Sequence, residues 1–67
     1  MVYRADVYDA LTGDWRTTQE VAAKVPRTAR TARGHQQQVY RALRRLAEDG
    51  QAEYEPSWGG TAWWRKV

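Results

Sequence analysis

The sequence predicts an α+β domain in which three helices precede a C-terminal β-hairpin. Two observations lead to this prediction. Apolar residues recur at helical spacing in three segments up to residue 49, and two extended runs separated by Pro and Gly follow Gly50. The 67 residues are enough for one domain, residues 1–67, with a small core.

The first helix is predicted over residues 3–12. Its apolar stripe repeats at helical spacing and consists of Tyr3, Val7, Ala10 and Leu11. Gly13 ends this helix, and residues 15–17 are long enough only for a short strand.

A capping box predicts the start of the second helix. In Thr17-Thr18-Gln19-Glu20, the Thr17 hydroxyl would accept from the Glu20 amide while the Glu20 side chain returns to the Thr17 amide. Val21, Ala22 and Val25 would face inward. The helix must end by Val25, because Pro26 disfavours helical geometry at the residue before it.

The third helix is predicted from His35 to Asp49, with Gly50 as its stop. Its buried face would consist of Val39, Ala42, Leu43, Leu46 and Ala47. The preceding residues 26–34 hold Arg-Thr-Ala twice and no large apolar side chain, so we expect a loop that is mobile in the free protein and becomes ordered only on binding.

The hairpin is predicted from two extended runs, residues 51–55 and 61–67, around the Pro- and Gly-containing residues 56–60. The consecutive Trp63 and Trp64 must point to opposite faces of the strand, so only one of them can enter the core.

Basic residues are segregated along the chain. The formal net charge is +3. Between Lys24 and Arg45 there are seven basic residues and no acid, while the acids flank this block. The folded domain should therefore present a positive face, which favours a polyanion as partner or else is a solvated surface.

The composition argues against several classes of protein. With no cysteine and one histidine, we expect neither a metal site nor a cofactor, and no nucleophile with a base and an orienting group suggests an enzyme. No segment approaches the roughly 18 apolar residues that cross a bilayer. We therefore expect a cytoplasmic protein with no membrane partner. The starting Met is typical of a complete small gene product, although an excised domain would look the same.

The residues from Val39 to Tyr54 read Val-Tyr-Arg-Ala-Leu-Arg-Arg-Leu-Ala-Glu-Asp-Gly-Gln-Ala-Glu-Tyr. This segment resembles the recognition helix and first wing strand of bacterial winged helix-turn-helix transcription regulators. Residues 11–13 resemble the end of their first helix, and residues 17–22 resemble the opening of their second. The resemblance covers nearly the whole chain. It implies a winged helix-turn-helix with a C-terminal β-hairpin wing, a short strand after the first helix, and DNA binding. Those regulators usually have a turn of about three or four residues before the third helix, whereas the loop predicted here is longer.

The third helix supplies the predicted DNA contacts. Gln37, Gln38 and Arg41 have the chemistry to read base edges when helix 35–49 enters the major groove of double-stranded DNA. The predicted phosphate contacts are Tyr40, Arg44 and Arg45 of the helix, Arg27, Arg30 and Arg33 of the loop, and Arg65 and Lys66 of the hairpin.

A second interpretation is a protein-interaction module that uses the aromatic hairpin. Trp58 and Trp63 would then contact a protein partner, since tryptophan is a residue type that dominates binding energy at interfaces. The salt dependence of the binding affinity separates the two interpretations. Phosphate contacts weaken steeply as the salt concentration rises, whereas an aromatic contact with a protein should hardly respond. The sequence also leaves a homodimer on DNA open.

Overall fold

In the part of the chain that the structure describes, three helices and a three-stranded antiparallel sheet form the fold, which confirms the predicted α+β class. The structure is a computed structural model that describes residues 2–56 and 58–67, except for the side chain of Trp58. In chain order the elements are α1 (Arg4–Ala10), β1 (Arg16–Thr17), α2 (Thr18–Lys24), α3 (Ala32–Glu48), β2 (Ala52–Pro56) and β3 (Ala62–Lys66). A 3₁₀ turn, Trp58–Gly60, lies between the last two strands.

The sheet has the order β1-β3-β2, so the last strand lies in the centre. Trp64 pairs with Tyr54 on one side and with Arg16 on the other. Because side chains alternate along a strand, Trp64 points toward the helices and is fully buried, while Trp63 is half-buried on the opposite face.

Apolar side chains from every helix and from the sheet meet in one core. Its largest members are Val7, Leu11, Val21, Val39, Leu43, Leu46 and Trp64. The predicted helix 3–12 was too long at both ends, since α1 spans Arg4–Ala10. Val7 and Ala10 are buried on it as predicted, Leu11 enters the core from the extended C-cap position, and Tyr3 is 70% exposed. Tyr3 occupies the N-cap position with an extended backbone, so its side chain leaves the helical stripe.

The capping box at the start of α2 is confirmed. Thr17 Oγ1 accepts from the Glu20 amide at 3.1 Å, and Glu20 Oε1 accepts from the Thr17 amide at 3.1 Å. The next residue, Thr18, is buried and accepts a hydrogen bond from Trp64 Nε1 at 2.8 Å. This bond joins the first turn of α2 to the centre of the sheet.

The predicted start of α3 at His35 was wrong by three residues, and the predicted loop 26–34 was correspondingly too long. The helix begins at Ala32, because Thr31 caps it by accepting from the Gly34 amide at 3.0 Å. A Cβ at Gly34 would lie 3.0 Å from Thr31 Oγ1, so glycine leaves room for this cap. Arg33 is therefore a helical residue.

His35 anchors the first turn of α3. Its imidazole is buried, and Nε2 lies 2.8 Å from the Ala22 carbonyl oxygen. Since a carbonyl can only accept, Nε2 carries the proton and donates. Together with Val39, Leu43 and Leu46, His35 completes the buried face of α3. The predicted Ala42 and Ala47 are only partly buried at its margin.

Gly50 ends α3 as predicted. Its φ of 76° is left-handed, and the amides of Gly50 and Gln51 donate to the carbonyls of Ala47 and Leu46. This is the Schellman arrangement, which satisfies carbonyls that the end of a helix leaves free. The chain then turns directly into β2.

Candidate nucleic-acid interface

The solvent face of α3 is rich in arginine and amide side chains. Opposite the buried residues it exposes Arg33, Gln36, Gln37, Tyr40, Arg41, Arg44 and Arg45. All lie on one continuous helix, so their relative positions follow from the helical repeat. Glu48, at the end of α3, is its only acid.

A groove runs beside the first half of α3. It encloses about 960 Å³ and lies between the start of α2, α3 and the turn into β3. We call it the amide groove, because Gln19 of α2 and Gln36 and Gln37 of α3 line it. Arg33, Tyr40 and Arg41 line it as well.

A second, smaller depression lies on the other flank of α3. It encloses about 510 Å³ and is lined by Val2, Arg4, Gln38, Arg41, Ala42 and Arg45. We call it the arginine hollow. Gln38 belongs here and not to the amide groove, and its Oε1 accepts from the Val2 amide at 3.1 Å. Among the described residues, Arg41 alone borders both depressions.

Three aromatic rings, those of Tyr40, Tyr54 and Trp64, pack on the hairpin side of this face. The Tyr40 ring meets Trp64 edge-on, with centroids 5.7 Å apart. The Arg44 guanidinium lies 5.4 Å from the centroid of the Tyr54 ring. A cation over an aromatic face is held by the ring's electrostatic field, so Arg44 is oriented toward the hairpin.

The loop between α2 and α3 has an internal brace. The Arg27 guanidinium donates to the Ala29 carbonyl at 3.1 Å and to the Arg30 carbonyl at 2.6 Å. Arg27 therefore uses two of its five N–H donors within the loop. Arg30 is exposed and makes no side-chain hydrogen bond within the described residues.

Arg65 and Lys66 lie apart from the solvent face of α3. Arg65 shares the outer side of the sheet with Trp63. Its Nε donates to Glu53 Oε1 at 2.8 Å, and its guanidinium lies 4.5 Å from the Trp15 ring centroid. The hydrogen bond to Glu53 raises the pKa of Arg65 above its ordinary value. The Lys66 ammonium lies 4.6 Å from the Tyr8 ring centroid, beside α1.

The arginines on α3 lack acidic partners in the described part of the chain. The ion pairs there are Arg4–Asp49, Arg16–Glu20 and Arg65–Glu53. None involves Arg33, Arg41, Arg44 or Arg45. Their positive charge is left for an external anion or for solvent.

The structure thus brings together some predicted contacts and separates others. Arg33, Gln37, Tyr40 and Arg41 share the amide groove. Sequence reasoning missed Gln36 and Gln19, because that groove exists only where α2 packs beside α3. An earlier start for α3 would have placed Gln36 one turn after Arg33.

Within the described residues, no three histidine, cysteine, aspartate or glutamate side chains cluster closely enough to hold a metal ion. Nor does this part of the chain contain a helix with the length and apolarity required to cross a membrane. No family model, curated protein or solved structure matches the chain.

Proposed function

We propose that the protein binds double-stranded DNA as a small winged helix-turn-helix transcription regulator, with α3 in the major groove. One observation carries the proposal: the exposed face of α3 presents four arginines without acidic partners among the described residues, interleaved with amides. Arginine and glutamine are the side chains best suited to hydrogen-bond base edges and phosphates together.

The shape of this face suits a duplex. A helix with its side chains is about 10–12 Å across, and the major groove of B-DNA is about 12 Å wide. The order of the elements supports the same proposal, since β2 and β3 form a C-terminal hairpin beside α3 and β1 adds the short third strand. In a winged helix-turn-helix, such a hairpin is the wing and the helix in the position of α3 is the recognition helix.

The flanks of α3 offer phosphate contacts on both sides. Arg45 borders the arginine hollow on one flank, and Arg44 points toward the hairpin on the other. Exposed Arg30 extends the positive surface before the helix begins. A duplex that receives α3 in its groove would have one phosphate row on each flank.

The hairpin is less suited to the alternative role of protein contact. Trp64 is fully buried and Tyr54 packs on it, with ring centroids 4.6 Å apart. Trp63 is half-buried, and the side chain of Trp58, named above as a contact for a protein partner, lies outside the described residues. Among the described side chains of the hairpin, the aromatic residues are therefore half-buried or fully buried.

The test is fluorescence anisotropy with a labelled random-sequence duplex at 50 and 200 mM salt. If four arginines each neutralise one phosphate, affinity should fall about 100-fold between these salt concentrations. Arg44→Ala should weaken binding. Arg65→Ala removes the same charge from the far side of the sheet and should leave binding unchanged.

A protein that binds no duplex at 50 mM salt would refute the proposal. So would binding that Arg44→Ala and Arg65→Ala weaken equally, because the surface of α3 would then contribute nothing beyond net charge. Circular dichroism of both variants verifies that each is folded.

A further inference from the structure

We infer that the amide groove selects duplexes with adenines at neighbouring positions, read by Gln36 and Gln37. This inference rests on the proposed function and adds a base preference to it. It starts from the location of three glutamines, Gln19, Gln36 and Gln37, which two separate helices bring to one groove.

The amides of these glutamines are free to bind. Gln19, Gln36 and Gln37 are exposed, and none makes a side-chain hydrogen bond to another described residue. Gln38 differs, because its Oε1 already accepts from the Val2 amide on the other flank of α3.

The chemistry of an amide favours one base. Glutamine presents one donor and one acceptor side by side, and adenine presents the complementary N7 acceptor and N6 donor in the major groove. Guanine presents two acceptors there, so it suits arginine better. The amide pair of Gln36 and Gln37 therefore favours adenine over guanine.

The arrangement along α3 sets the length of the site. Arg33 and Arg41 are eight residues apart, about 12 Å along the helix. This distance corresponds to about three to four base steps of 3.4 Å. Gln36 and Gln37 lie between the two arginines, so the adenines should lie between the outer contacts.

Packing against neighbouring elements fixes the part of α3 that carries Gln36 and Gln37. The Tyr40 ring, edge-on to the buried Trp64, forms one side of the groove. His35, which bonds to the Ala22 carbonyl, precedes Gln36 directly and holds the first turn of α3 on α2. Both amides are thus carried on a backbone that packs on two other elements.

The first experiment selects binding sites from a library of random duplexes with the unaltered protein. We expect adenines at two neighbouring positions. In the selected duplex, 7-deazaadenine at either position removes the N7 acceptor and should weaken binding about 5- to 150-fold. The same substitution outside the selected positions should have no effect.

The second experiment substitutes the two glutamines that are inferred to contact the adenines. Glutamate accepts from cytosine N4, so Gln36→Glu and Gln37→Glu should each shift the preference at one selected position from adenine to cytosine. Gln38→Glu is the matched control. It makes the same change in charge, keeps an acceptor for the Val2 amide, and should leave the preference at both positions unchanged.

The outcomes separate the inference from the proposed function. Salt-dependent duplex binding without adenine enrichment would overturn the inference and leave the proposed function standing. Insensitivity to 7-deazaadenine, or a Gln38→Glu protein that shifts preference as Gln36→Glu does, would overturn it as well. Failure to bind any duplex would refute the proposed function itself.

Discussion

Arg41 and Arg44 lie one turn apart on the exposed face of α3, but their surroundings differ. Arg41 borders both the amide groove and the arginine hollow, whereas Arg44 lies over the Tyr54 ring beside the hairpin. We expect Arg41→Ala to weaken binding to the preferred duplex by about 1 to 3 kcal/mol and to relax base choice. Arg44→Ala should weaken binding to all duplexes alike and reduce the salt slope by about one, as a phosphate contact does.

Site selection and salt titration on the two variants measure these effects. An unchanged base preference after Arg41→Ala would show that Arg41 reads no base. A loss confined to one duplex sequence after Arg44→Ala would make Arg44 a base reader.

His35 is the residue on which the start of α3 depends. Replacing it by alanine removes the hydrogen bond to the Ala22 carbonyl and leaves a gap in a buried position. We expect the free energy of unfolding to fall by about 1 to 3 kcal/mol. Urea unfolding measures the change. Gln36→Ala, at the adjacent exposed position, should change the free energy of unfolding by no more than about 0.5 kcal/mol. Equal stabilities of the two variants would contradict the anchoring role.

Among the elements, α2 carries a contribution to stability that depends on pH. The Thr17 backbone amide, followed by the Thr17 side chain, lowers the pKa of Glu20 below its usual value near 4.5. Ionised Glu20 therefore favours the folded state. This stabilisation is present above the usual pKa and disappears as the pH falls through the lowered pKa of the folded state.

Glu20→Gln should accordingly be less stable than the unaltered protein at pH 7, and the difference should shrink as the pH falls below 4.5. Thermal unfolding at a series of pH values measures it. A difference that grows on acidification would exclude the capping carboxylate as its cause.

The loop between α2 and α3 depends on Arg27. Because the Arg27 guanidinium holds the carbonyls of Ala29 and Arg30, Arg27→Ala should loosen the backbone of residues 28–30. NMR order parameters of these amides should fall, while Arg30→Ala should leave them unchanged. Order parameters that are already low in the unaltered protein would show that the brace does not hold in solution. They would match the mobility that the sequence predicts for the loop of residues 26–34.

At the scale of the whole molecule, Trp64 joins the sheet to the helices. It is fully buried, donates to Thr18 in α2, and packs against Tyr40 of α3 and Tyr54 of β2. We expect Trp64→Ala to lower the free energy of unfolding by about 3 to 5 kcal/mol, which is a large part of the stability of so small a domain. Trp63→Ala, on the other face of the sheet, should cost clearly less. Urea unfolding compares the two, and equal losses would mean that the core does not centre on Trp64.

The types and order of the elements could be predicted from the sequence, because their signals are local. Helical spacing identified Val7, Leu43 and Leu46 as core residues. The capping box at Thr17 and the helix end at Gly50 each involve residues within one or two helical turns, so a short stretch of sequence is enough to predict them. The acid-free block of residues 24–45 likewise marked α3 as the positive element.

The composition of the candidate site was decided by tertiary packing, because its residues meet across elements that are distant in the chain. Strand alternation alone could not choose between Trp63 and Trp64. Tertiary packing buried Trp64, whose indole N–H donates to Thr18, 46 residues earlier in the chain. In the same way, packing placed Gln36 in the amide groove and turned Gln38 toward Val2, 36 residues earlier. A side chain's neighbours within a helix follow from its spacing, but its partner on another element follows only from how the two elements pack.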